Sequence, residues 1–148
     1  MPDLDQTGKK RPSVFSRQPA PPAAETLGWE LIAEDPGAGT IEIAVHPGQA
    51  FLNPHGTVQG GFVAAMLDDT MGPALVSMTD GACIPSSLDM NVSFLRPVKP
   101  GRVIGKGRVV KLGKSLAFLE AELFDEAGEL LARATSTARV MRIEDAQR

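Results

Sequence analysis

Apolar and polar positions alternate differently before and after residue 60, and this difference sets the predicted elements. In "GTIEIAVH", Ile41, Ile43 and Val45 recur at every second position, the period that lines one face of a strand. "LGWELIAED", with the turn "DPGAG" after it, predicts the other half of a hairpin. A loop punctuated by Pro47, Gly48, Pro54 and Gly56 follows. From Gly60 to about residue 77 the pattern becomes helical. Phe62, Val63, Met66, Leu67 and Met71 are spread too evenly for one narrow stripe, which predicts a helix buried on most sides. Pro73 predicts a kink or an early end. After "TDGAC" alternation returns and persists. "SSLDMNVSFL" sets Leu88, Met90, Val92 and Phe94 on one side, and "RVIGKGRVVKL", "LAFLEAELFDEAG" and "ELLARATSTARVM" follow as further strands. The predicted architecture is α+β, with one long central helix wrapped by a curved antiparallel sheet of about five to six strands.

Composition narrows this picture. A chain of 148 residues suffices for one hydrophobic core. Residues 25–143 are predicted to form that domain. Residues 1–24, with "KKRP" and "RQPAPPAA", read as a poorly ordered tail. A net charge of −3 argues against nucleic acid as a partner. No apolar run approaches the ~20 residues of a membrane span. The start of the chain lacks the apolar stretch of a secretory signal, so the expected setting is the cytoplasm, away from membranes. Cys83 is the single cysteine, which excludes an internal disulfide framework, and His46 and His55 lack partners at ligand spacing, so no metal site is expected. "GKGRVV" lies within strand-like sequence and does not open a helix, so dinucleotide binding is not expected.

Candidate chemistry is concentrated in "FLNPHGTVQGGFVAAMLDDTMGPAL". If Gly60 and Gly61 open the helix, their N–H groups are among its unsatisfied first-turn donors, at the positive end of the helix dipole. Such donors suit a developing oxyanion, although a glycine pair also serves a tight loop-to-helix turn. Asp68 and Asp69 point to different sides of the helix, and a carboxylate in apolar surroundings serves as base or nucleophile. Gly60 and Asp68 are eight residues apart, roughly 12 Å along a helix, too far to act on one carbonyl. A site that uses both therefore draws the aspartate from a second subunit. Between Arg96 and Lys114 there are seven basic residues and no acidic ones, a composition suited to phosphate binding and equally to protecting an exposed strand from aggregation.

"NPHGTVQGG", "LDDT" and "SSLDMNVSFLRPVKPG" together resemble the hot-dog-fold acyl-CoA thioesterases of the phenylacetic-acid-degradation (PaaI-like) type, over about residues 27–141. The resemblance implies a hot-dog fold, hydrolysis of an acyl-CoA thioester to free acid and CoA, and a homodimer that assembles into a homotetramer. It implies no cofactor, CoA being part of the substrate. Gly60 N–H would polarise the carbonyl, and Asp68 of the partner subunit would activate water or attack directly. Asn53 would position water or substrate, and Gly61 and Ser87 would contact the substrate. The family's histidine is Gln59 here, which donates a hydrogen bond but carries no proton near neutral pH. That departure implies an alternative, a non-catalytic acyl-CoA-binding hot-dog protein. A hydratase on the same fold would need a histidine after Asp68 or Asp69, and there is none.

Overall fold

The structure, a computed structural model, describes residues 4–146. Helix α1 (Pro22–Leu27) leads into β1 (Glu30–Asp35) and β2 (Thr40–Val45); α2 (Gly60–Met78) follows, then β3 (Cys83–Phe94), β4 (Val103–Leu112), β5 (Leu116–Phe124) and β6 (Leu130–Arg142), and α3 (Ile143–Ala146) ends the described residues. All pairings are antiparallel, in one six-stranded sheet of order β1-β2-β4-β5-β6-β3. Helix α2 lies on one face of this sheet, with Met66, Leu67, Met71 and Leu75 buried against Ile43, Val45 and Leu123. This is the α+β arrangement expected from the alternation, and the hot-dog layout that the resemblance implies. Among the described residues no helix is long and apolar enough to cross a membrane.

Two glycines in β4 set how closely α2 approaches the sheet. A Cβ on Gly105 would meet Thr70 Oγ1 at 2.5 Å, and one on Gly107 would collide with the Thr70 carbonyl oxygen. "GKG" is thus a seat for the helix, and Thr70, fully buried, donates from its hydroxyl to Met66 O at 2.7 Å.

Two local expectations are corrected. Of the two effects expected of Pro73, the early end does not occur, because the helix continues to Met78. Leu88 does not share the inner face with Met90 and Val92. A bulge between Ser87 and Asp89 inserts one residue, leaving Leu88 60% exposed while Ser87 faces the helix.

Residues 1–3 of the expected tail lie outside the described residues. The rest of it carries a 3₁₀ turn at Val14–Ser16 and the start of α1, so the boundary expected near residue 25 falls inside a helix. Phe15 packs on Trp29 with ring centroids 5.1 Å apart, and Arg11 and Arg17 pair with Asp80 at 3.2 and 2.7 Å.

Candidate active site

The loop before α2 is built to present its first turn. Leu52 bridges Val58, and Asn53 and Gly56 close the turn between them, with Asn53 N–H donating to Thr57 O at 2.7 Å. The Asn53 side chain is engaged in the same turn. Its Oδ1 accepts from the N–H groups of His55 and Thr57 at 2.9 and 3.1 Å, and its Nδ2 donates to Thr57 Oγ1 at 2.9 Å. Asn53 therefore shapes the loop, and His55 stands exposed at its tip. Gln59 N–H donates to Phe51 O and Val58 N–H to Val98 O, both at 2.8 Å, fixing the helix start to the rest of the domain. Phe51 stacks on Phe62 of the first helical turn at 4.3 Å.

Gln59 is the N-cap residue of α2, but its side chain makes no capping bond and is exposed. Its carbonyl accepts from Phe62 and Val63 N–H, whereas the Gly60 and Gly61 N–H groups have no partner among the described residues. Space over Gly61 is open, and the Phe94 ring lies 3.5 Å from where a Gly60 Cβ would sit. Two unsatisfied donors at a helix N-terminus, one beside an aromatic ring, form an anion-accepting turn.

Eight residues along α2, Asp68 is exposed and accepts from Ser87 Oγ at 3.1 Å on β3. Asp69 is the more buried of the pair, and its Oδ2 is buried without a hydrogen-bond partner among the described residues. Burial, and secondarily the charge of Asp68, push the Asp69 carboxyl up to about 6. The raised value favours the folded state fully below the ordinary value near 3.8, and that gain is lost as pH rises through about 6. Asp69→Asn is expected to raise stability at pH 7.5 by on the order of 1 kcal/mol, since the group is partly solvated and screened. Thermal melts from pH 4 to 8 should show the gap closing toward pH 4; a constant gap would contradict burial as the cause.

The structure brings Ser87 to Asp68 and Phe94 to Gly60, and leaves Gly60 and Asp68 apart within the subunit. Alternation of the strand sequence gave no sign of Phe94 as a site residue. The basic run is also divided. Arg96 pairs with Glu129 at 2.9 Å, Arg108 with Glu120 at 2.6 Å, and Lys106 lies over the Phe124 ring at 5.2 Å. Lys99 and Arg102 have no ion-pair partner among the described residues, and their turn is tied to the site by the Val58–Val98 bond and by Gly101 N–H to Pro47 O. Lys111 and Lys114 lie at the far end of β4, roughly 30 Å away along a ten-residue strand.

The thioesterase superfamily profile matches residues 55–132, which span the helix, the β3 edge and β4–β5. The chain belongs to the thioesterase superfamily. It is 34% identical over 110 residues to human acyl-coenzyme A thioesterase 13, covering 72% of this chain and 76% of that one. Among solved structures, a putative thioesterase of Ralstonia eutropha JMP134, described as phenylacetic acid degradation-related, superposes with a TM-score of 0.78 at 39% identity, over 85% of this chain and 95% of that one. A Streptococcus mutans protein bound to acetyl CoA shares the fold, with a TM-score of 0.69 at 19% identity over 77% and 89%. The chain is a thioester hydrolase, and on α2 it presents the Gly60 and Gly61 N–H donors at the N-terminus and the exposed Asp68 carboxylate bonded to Ser87.

Proposed function

We propose that this thioesterase hydrolyses acyl-CoA in the cytoplasm, at a site completed by a second copy of the chain and without a cofactor beyond the CoA of its substrate. The carrying observation is that Ser87 and Phe94, the residues touching Asp68 and Gly60, lie on the same strand, and that strand is an open edge. β3 is twelve residues long with Leu88 and Phe94 exposed, as is Leu95 just after it, an edge that favours pairing with another chain. Antiparallel pairing with the partner's β3, centred near Met90 and Asn91, lays Ser87 of one subunit beside the partner's Phe94. That brings Asp68 toward the partner's Gly60, over the open space at Gly61. The exposed Asp68 becomes enclosed, and each dimer holds two equivalent sites. Two such dimers form the tetramer.

In this arrangement Gly60 N–H polarises the thioester carbonyl, with Gly61 N–H beside it, and the Gln59 amide adds a donor at the rim. Asp68, held by Ser87, takes a proton from water as its oxygen attacks the carbonyl carbon, or attacks directly, breaking the C–S bond to form a mixed anhydride and CoA thiolate; water then opens the anhydride to the free acid and Asp68, and the proton released goes to the thiolate. On the water route the C–S bond breaks as the tetrahedral oxyanion collapses. The proton on Asp68 then passes to the leaving sulfur, so the histidine-to-glutamine change at 59 leaves the proton balance complete. Lys99 and Arg102, with no ion-pair partner among the described residues, lie on the turn tied by the Val58–Val98 bond to the loop before α2, and would meet the CoA phosphates.

The test is thiol release from aliphatic and aromatic acyl-CoAs. Turnover is expected, and Lys99→Ala/Arg102→Ala should raise KM several-fold with kcat kept. Saturable binding without thiol release would replace this reading with the non-catalytic one that Gln59 allows.

A further inference from the structure

Pro73 lies in the interior of α2, four residues after Asp69. A helix-interior proline lacks the N–H that would reach the i−4 carbonyl, so Asp69 O loses its helical donor, and such sites ordinarily kink by more than about 20°. Here the vacancy is filled from forty residues away: Trp29 Nε1 donates to Asp69 O at 2.8 Å. The indole is itself held in place. Gly28 ends α1 in a left-handed conformation with φ 66°, Trp29 N–H donates to Ala24 O at 2.9 Å, and Phe15 packs against the ring. Trp29 is also the only tryptophan of the chain.

We propose that Trp29 is a positioning residue for Asp68, its indole N–H standing in for the hydrogen bond that Pro73 removes. The inference rests on the function proposed above. Asp68 immediately precedes the carbonyl that the indole satisfies, and its carboxylate must stay against Ser87 Oγ, 3.1 Å away, while facing the partner's glycine turn. Without the indole, Asp69 O turns toward water, α2 bends at Pro73, and Asp68 moves with that turn. A displacement of about 1 Å at a reacting group costs roughly 10²-fold in rate.

Trp29→Phe keeps a ring against Phe15 and removes the donor. Its kcat is expected to fall about tenfold, with KM changed by less than about twofold. Pro73→Ala supplies a backbone N–H to Asp69 O, so the double variant Trp29→Phe/Pro73→Ala is expected to recover kcat, while Pro73→Ala alone stays near wild type. Because Trp29 is unique, biosynthetic replacement with benzothienylalanine, which exchanges the indole N–H for sulfur at nearly constant shape, removes the donor alone. It should lower kcat as Trp29→Phe does, even where the phenylalanine variant folds poorly. A purely structural role would shift Tm and leave kcat of the folded enzyme unchanged. Unchanged kcat in the donorless proteins, or a loss that Pro73→Ala does not recover, overturns the proposal. Wild type and Asp68→Asn are assayed beside them. A wild type that binds acyl-CoA without releasing thiol overturns the functional reading itself, whereas an active wild type with unimpaired donorless variants overturns only the role of Trp29.

Discussion

Asp68→Asn and Gly60→Pro are each expected to lower acyl-CoA hydrolysis by about 10²-fold or more, and refolding the two inactive proteins together is expected to restore about a quarter of it. The asparagine keeps the shape and the bond from Ser87 while removing the base, a change worth roughly 10²–10⁴ in rate. Gly60→Pro removes one N–H donor, worth roughly 10²–10³. It should do so without breaking α2, since proline is favoured at the first helical position. The preceding Gln59, at φ −56° and ψ 138°, already has the extended backbone that a following proline requires. Gly60→Ala, whose Cβ makes ordinary contact with Phe94 at 3.5 Å, keeps the N–H and should stay active. When Asp68→Asn and Gly60→Pro subunits are unfolded, mixed equally and refolded, half of the dimers are mixed. Each mixed dimer carries one fully wild-type site and one doubly defective site. Recovery of about a quarter of wild-type activity is therefore expected, measured by thiol release. If both groups came from one subunit, every site in the mixture would lack one of them, and no recovery would appear.

The largest effect on stability is expected at Gly107, through sterics alone. Gly107→Ala places a methyl group into the Thr70 carbonyl oxygen, a backbone atom of a buried helix that no rotamer change can move. Either α2 lifts from β4 or the strand shifts beneath it. Overpacking of this kind costs typically 1–3 kcal/mol and occasionally more, and a loss of about 3 kcal/mol would lower Tm by roughly 10 °C. Gly105→Ala meets the Thr70 side chain, at 2.5 Å from Oγ1 and 2.9 Å from Cγ2, and the movable end of Ile43 at 3.0 Å. Thr70→Ala should thus rescue Gly105→Ala and leave Gly107→Ala as unstable as before. Denaturant titration of the four variants checks this, and equal rescue at both positions would refute the contact assigned to Gly107.

Both expected results draw on features that the sequence displays in different degrees. The helix and the strands were legible because they are local: period two in "TIEIAV" and the even apolar spread from Phe62 to Met71 depend on residues a few positions apart. So was the chemical content of the glycine turn and of the aspartate pair, and the length of helix separating them. The bulge that exchanges Leu88 for Ser87 was not legible, since it depends on how β3 registers against β6, some fifty residues away. Nor was the engagement of Asn53 within its own loop, or the division of the basic run, because strand length and ion pairs decide which charges remain unpaired.

By itself, then, the sequence determined the order of elements, the buried helix, and the two kinds of group near its first turn and its middle, all of which follow from short-range periodicity and residue chemistry. Tertiary structure alone decided which carboxylate is the buried one, that Ser87 reaches Asp68, that Phe94 covers Gly60, and that α2 runs on past Pro73. Each of these is a pairing of a donor, acceptor or surface with a partner distant in the chain. Composition carries no record of such pairings, because the free energy that selects them comes from packing the helix onto the sheet.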